Sequence, residues 1–185
     1  EDRFDEQALQ FIAGLSARLD AHWSASLFGD FAASADFLPD WSLIGEVGRS
    51  LPGARAVSLR VRHSEYETVD VETLAGTIEQ YLDAVRVSYT LTAASPTDLG
   101  WSWGHGVRVA HDYGDGSHVT LALGYGKEAE TVAPGVVLVT KNKSVSVFGL
   151  HWRDVEWGIA WEAGWYEQGD LYDRLRIRLG IERRF

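Results

Sequence analysis

Apolar and polar residues alternate with a period of two along almost the whole chain. Between residues 85 and 92, every odd position is apolar or aromatic and every even position is Arg, Ser or Thr. Because successive side chains of a β-strand point to opposite faces, this pattern predicts strands with one apolar and one polar face. About eleven such segments of roughly ten residues each follow one another, and none has a helical period. By residue number they are 9–19, 22–33, 41–51, 56–65, 74–82, 85–92, 101–112, 118–125, 144–147, 157–166 and 175–185.

Three residues break the alternation. His105 falls among apolar positions, whereas Phe148 and Leu150 fall among polar ones. A β-bulge places one extra residue in a strand and exchanges the faces beyond it. A bulge in either strand would therefore restore the phase.

The polar faces carry large charges of both signs in mid-strand, which favours a membrane barrel over a soluble sandwich or lipocalin-like barrel. We expect these side chains to face a lumen. They are Arg18, Asp30, Glu46, Arg60, Arg62, Glu79, Arg86, Arg108, Glu162, Arg176, Arg178 and Glu182. Either they neutralise one another and hold the wall, or they form a pathway whose field selects solutes. For Arg176 and Arg178 we expect pairing with a carboxylate such as Glu162 or Glu46.

Aromatic residues lie near the ends of the apolar faces, where an aromatic girdle meets the boundary between lipid and water. The predicted girdle residues are Trp23, Trp41, Trp101, Trp157, Trp165 and Phe185. Membrane anchoring is the main interpretation of this set, and sugar stacking is the alternative.

The predicted connections alternate between short and long, as in outer-membrane barrels. The tight ones are 20–21, 52–53, 83–84, 114–117 and 153–156, and the long ones are 34–40, 66–72, 96–100, 127–143 and 168–173. If the last strand ends in the periplasm, all long loops are extracellular. The first strand then runs downward, so we expect a barrel of 12 or 14 strands in the complete protein, with N-terminal strands that residues 1–185 lack.

Composition agrees with this interpretation. The 185 residues have a net charge of −10, which argues against a nucleic-acid partner. Cysteine is absent, so disulfides and thiolate metal sites are excluded. No apolar run approaches the length of a transmembrane helix.

Several segments resemble the YaiO-like outer-membrane β-barrel family over the whole chain, most specifically in the C-terminal third. They are residues 35–43 (ADFLPDWSL), 113–116 (YGDG), 124–130 (GYGKEAE), and a closing block with 151–153 (HWR), 157–162 (WGIAWE), 167–172 (EQGDLY) and the final RRF. The resemblance implies a single barrel domain in a Gram-negative outer membrane, inserted by the barrel assembly machinery with Phe185 as part of the signal. It also implies an association with envelope polysaccharide systems, but no catalytic motif.

No arrangement of residues predicts an enzyme, a metal site or a cofactor. His63 and Ser64 are adjacent on a strand and therefore point to opposite faces, which excludes a nucleophile–base pair. His111, Asp112 and His118 surround a tight turn without the spacing of a metal site. The acidic residues Asp70, Glu72, Glu128 and Glu130 bridge lipopolysaccharide through a divalent ion or simply solvate their loops.

Two functions from different classes follow. The barrel is a conduit for envelope or exopolysaccharide export or for small solutes. Alternatively it is a non-conducting structural or docking barrel with a self-plugged, charged lumen. The expected partners are outer-membrane lipid and lipopolysaccharide, the barrel assembly machinery and polysaccharide-secretion proteins.

Overall fold

The computed structural model describes residues 2–3, 6–7, 9–33, 38–67, 69–97, 100–114, 116–133 and 136–184, with only the backbone described at 2–3, 6–7, 33, 128–133 and 136–139. These ranges hold thirteen strands and no helix. The strands are β1 Asp2–Arg3, β2 Glu6–Gln7, β3 Leu9–Arg18, β4 Trp23–Ala33, β5 Trp41–Leu51, β6 Arg55–Glu65, β7 Asp70–Leu82, β8 Val85–Pro96, β9 Ser102–Tyr113, β10 Ser117–Ala133, β11 Val136–Trp152, β12 Trp157–Gln168 and β13 Tyr172–Arg183. No helix in the described residues is long and apolar enough to cross a membrane.

Eleven of these strands form one antiparallel sheet in which each strand pairs with its neighbour in sequence. The order runs without a crossover from β13 to β3, while β1 and β2 pair separately with each other. This meander confirms the all-β antiparallel fold and the count of about eleven strands. Within the described residues no ladder joins β3 to β13. The expectation of further strands in a longer protein stays a prediction.

Two of the tight turns are held by an aspartate that precedes a girdle tryptophan by three residues. Asp20 Oδ1 accepts hydrogen bonds from the backbone N–H groups of His22 at 2.6 Å and Trp23 at 2.8 Å. Asp154 does the same for Glu156 at 2.9 Å and Trp157 at 2.8 Å. These bonds favour the ionised carboxylate and lower the pKa of both aspartates below the ordinary 3.8.

This turn chemistry predicts a local dependence on pH. A lowered pKa stabilises the folded turn above pH 3.8, and the stabilisation is lost as pH falls through the folded-state pKa. We therefore expect the amide hydrogens of Trp23 and Trp157 to lose protection below that pH. Hydrogen exchange, corrected for the intrinsic effect of pH, measures it. In Asp20→Asn the protection of the Trp23 amide should no longer depend on pH. If that variant loses protection over the same pH range as the wild type, the assignment to Asp20 is contradicted.

The predicted long loop at residues 127–143 is wrong. β10 continues to Ala133 and β11 begins at Val136, so the two strands form an extended hairpin of 17 residues each. Its ladder runs from His118 opposite Leu150 to Ala133 opposite Val136, with one register shift between Thr131 and Ala133. Val and Thr are frequent between residues 136 and 140 and favour extended backbone although the alternation is lost there. The connection between β12 and β13 is also shorter than predicted, at residues 169–171.

The expected bulges at the exceptional residues are also absent. The ladders of β9 and β11 keep a regular register through His105, Phe148 and Leu150. His105 lies on the outer face, where its Nδ1 is 2.7 Å from the hydroxyl of Tyr89. Phe148 and Leu150 remain on the inner face, as their positions in sequence indicate.

Candidate functional site

The inner face of the sheet surrounds a polar cavity of about 660 Å³. Residues from the eight consecutive strands β5 to β12 line it. Much of the lining is small, with Ser, Thr, Ala and Gly alternating with the outward residues of each strand. Such side chains leave room for water or for a small solute inside the wall.

The strand register places all twelve predicted lumen residues on this inner face. Five of them line the cavity itself: Glu46, Arg60, Arg62, Glu79 and Arg108. Arg18 lies with Glu46 at a smaller recess between β3 and β5. The cavity therefore brings together part of the predicted set, and the others lie on β3, β4, β8, β12 and β13.

Two ion pairs hold the wall between β4 and β6. The carboxylate of Glu46 lies 2.6 Å from the guanidinium of Arg60, directly across the β5–β6 ladder. Arg62 donates to Ser64 Oγ at 2.8 Å and to Ser42 Oγ at 3.1 Å, and its guanidinium is 4.0 Å from Asp30. These contacts fix both arginine side chains along the wall.

A single carboxylate, that of Glu162, is shared by two arginines of the last strand. Glu162 lies 3.8 Å from both Arg176 and Arg178. Of the two carboxylates predicted as partners of these arginines, Glu162 is the one observed, whereas Glu46 pairs with Arg60. At 3.8 Å and in a partly hydrated setting, each contact is a weak ion pair.

Arg108 differs from the other cavity arginines. It lies in the ladder between Ser88 on β8 and Ala122 on β10. No carboxylate among the described side chains lies within salt-bridge distance of its guanidinium, whereas the other two arginines that line the cavity, Arg60 and Arg62, each have one. The cavity thus contains a cation without a direct ion-pair partner among the described side chains, and the carboxylate of Glu79 lies two strands away in the ladder, on the far side of Ser88.

An apolar cluster on the same inner face was not predicted. Phe148, Leu150 and Trp152 occupy successive inward positions of β11. The guanidinium of Arg184 lies 3.7 Å from the centre of the Trp152 ring. The cluster lies near Gly116, toward which Arg184 extends. The signal in sequence is the out-of-phase pair Phe148 and Leu150, for which a bulge is the wrong explanation.

The outer face is an exposed apolar band with tryptophans at both ends. Trp23 and Trp157 lie beside tight turns, whereas Trp41, Trp101 and Trp165 lie toward the opposite rim; Phe185 is outside the described residues. Trp157 and Trp165 are eight residues apart on one strand, or roughly 26 Å at the rise of a β-strand. At the strand tilt of roughly 40° that barrels show, this length spans roughly 20 Å across the membrane, which lies within an apolar band about 25 Å tall.

The residues considered for catalysis or metal binding do not converge. His63 lies on the outer face against Glu72 and the Trp41 ring, while Ser64 is buried on the inner face against Ser42. Among the described residues no three His, Cys, Asp or Glu side chains form a potential metal site. Glu128 and Glu130 have no described side chains.

Residues 1–131 match the model of a family described as YaiO membrane beta barrel domain. The chain belongs to this family. The matched range includes three of the four segments that carried the resemblance, and the closing block lies beyond it. No curated protein matches the chain.

A solved structure titled "KdgM porin in complex with disordered oligogalacturonate" shares the fold, with a TM-score of 0.59 and 13% sequence identity. The alignment covers 96% of this chain and 95% of the porin chain. Together with the YaiO match, this likeness shows a transmembrane β-barrel fold. The outward apolar band is then the lipid-facing surface, and the cavity is the lumen.

Proposed function

We propose that this member of the YaiO family is an outer-membrane barrel through which small solutes pass, with a preference for anions. The polar cavity of about 660 Å³ is the observation that carries the proposal. Its volume lies in the range of sites that hold small molecules. The porin of the same fold was solved with oligogalacturonate, an acidic oligosaccharide, which supports an anionic sugar as the solute class. The same proposal extends to a larger solute, an envelope polysaccharide that is exported through the barrel.

Arg108 carries the anion preference. A cation without a described ion-pair partner on the wall of a lumen attracts anions and repels cations along the path. Arg60 contributes less because Glu46 neutralises it at 2.6 Å. No catalytic step belongs to this proposal.

Conductance in planar bilayers tests it. In a KCl gradient, the wild-type barrel should conduct and give a reversal potential of anion selectivity. Arg108→Gln should reduce the chloride preference severalfold, and Arg108→Glu should move the selectivity toward potassium. Arg49→Gln is the matched control, because Arg49 lies on the outer face over the Trp23 ring. An anion preference that Arg108→Glu leaves unchanged contradicts the role of Arg108.

A second candidate is a non-conducting barrel that docks other envelope proteins, such as polysaccharide-secretion proteins. The inner cluster of Phe148, Leu150, Trp152 and Arg184 favours it, because an apolar side chain and its stacked cation narrow the lumen near the tight turns. Absence of conductance in the wild type together with conductance in Trp152→Ala would assign this cluster as the plug. Absence of conductance in both rejects solute passage.

A further inference from the structure

All three lysines of the chain occupy outward positions of the extended β10–β11 hairpin, and Lys127 also borders the inner cavity beside Gly126, which has no side chain. The other fourteen basic residues are arginines, and Lys127, Lys141 and Lys143 are the only lysines in 185 residues. Lys127 lies directly opposite Lys141 in the ladder, and Lys143 lies opposite Tyr125. We call these three residues the lysine patch.

The lysine patch continues the lipid-facing surface. Its residues share the outward positions of their strands with Tyr125 and Val145, which are both exposed in the apolar band. Trp165 pairs with Val145, so the patch begins one outward position beyond the girdle at this rim. Lysine side chains at this height extend their ammonium groups to the headgroup region.

Two of the three charges of the patch are not balanced by a described ion pair. Lys143 lies 2.7 Å from Glu167, but no described carboxylate forms an ion pair with Lys127 or Lys141. Like charges directly opposite each other destabilise a strand pair. An anion between the two strands would remove that repulsion, so the patch favours a ligand of negative charge.

We propose that the lysine patch binds the phosphate groups of lipopolysaccharide in the outer leaflet. The extended hairpin lies on the rim opposite the tight turns, and outer-membrane barrels place their short turns in the periplasm. The headgroups at this rim are then those of the outer leaflet, where lipid A presents phosphates at the level of the patch. This inference rests on the proposed outer-membrane location but not on solute passage.

Binding of lipid A to the full chain in detergent micelles tests the proposal, with native mass spectrometry as the readout. Each unpaired lysine near a charged lipid surface contributes roughly a fivefold gain in affinity, and Glu167 reduces the contribution of Lys143, so replacing all three by Gln should weaken binding roughly 25-fold. Replacing all three by Arg keeps the charge and should retain most of the binding. Arg49→Gln with Arg55→Gln is the control, because both residues lie at the opposite rim.

Two further lipids identify the chemistry. Dephosphorylated lipid A should bind no better to the wild type than to the triple Gln variant, and phosphatidylglycerol should bind more weakly than lipid A. Equal binding of lipid A by the wild type and the triple Gln variant overturns the proposal. Equal binding of lipid A and phosphatidylglycerol also overturns it, because the patch then has no preference for lipopolysaccharide. Conductance of the wild type and of the triple Gln variant is measured in parallel. If both conduct while lipid A binding does not depend on the lysines, the lipopolysaccharide proposal fails and the proposed solute passage does not.

Discussion

Leu59→Arg is expected to destabilise the folded barrel by roughly 2–4 kcal/mol. Leu59 lies near the middle of β6, opposite Val47, and its side chain is 53% exposed on the outer face. In a bilayer that exposure is to lipid, where an arginine cannot be hydrated. The loss of folding free energy should therefore be observed in a lipid bilayer. It comes from moving the charge into lipid and not from a steric clash.

The neighbouring substitution Ser58→Arg is the matched control. Ser58 lines the same cavity as Glu79, whose carboxylate forms no described ion pair and is available to an added guanidinium. Both variants are compared with the wild type by reversible denaturant unfolding in lipid vesicles, followed by tryptophan fluorescence. Equal losses of stability in the two variants contradict the assignment of the faces.

The faces of the strands were predictable from sequence because alternation is a local property of the backbone. Arg60 and Leu59 could be assigned to opposite sides without knowledge of any neighbour. The extended hairpin was missed because charged residues and the lost alternation between residues 127 and 143 indicated a loop. Strand pairing there depends on the backbone ladder with the partner strand, which a single-strand pattern does not contain.

The candidate site was predictable only as a set of residues on one face. The pairs Arg60–Glu46 and Arg178–Glu162 depend on the register, which the connections between strands fix. Arg108 differs from the other arginines only in its neighbours across the ladder, so sequence could not single it out. The apolar cluster around Trp152 was hidden because apolar residues on an inner face contradict the binary pattern of a barrel.

The lysine patch shows a further limit of pattern analysis. Its residues are outward and charged, which the alternation of a lipid-facing strand does not predict. The three lysines are recognisable as one site only from the register of the hairpin, which places Lys127 opposite Lys141 beyond the apolar band. The prediction of lipopolysaccharide as a partner came from the family resemblance, whereas the residues proposed to bind it come from the register.

Gly126→Ala is expected to destabilise the barrel by roughly 1–3 kcal/mol. Gly126 lies directly opposite Gly104 in the β9–β10 ladder, and both lack a side chain on the inner face. A Cβ atom at Gly126 would meet the Cα of Gly104 and lie 2.7 Å from the carbonyl oxygen of Trp103. Both atoms belong to the backbone of a paired strand, so the substitution can be accommodated only if β9 and β10 separate locally.

Gly45→Ala separates this steric effect from the general effect of replacing glycine. Nothing lies within 4 Å of a Cβ atom at Gly45, which lies in the interior of β5. Alanine there restricts the unfolded chain without meeting an obstacle, so Gly45→Ala should leave stability unchanged or raise it by roughly 0.4–1 kcal/mol. Denaturant midpoints in the same lipid measure both variants. If Gly126→Ala unfolds at the midpoint of Gly45→Ala, the close approach of β9 and β10 at Gly104 is not a feature of the folded barrel. A lower midpoint in Gly126→Ala alone supports a close approach of β9 and β10 at Gly104.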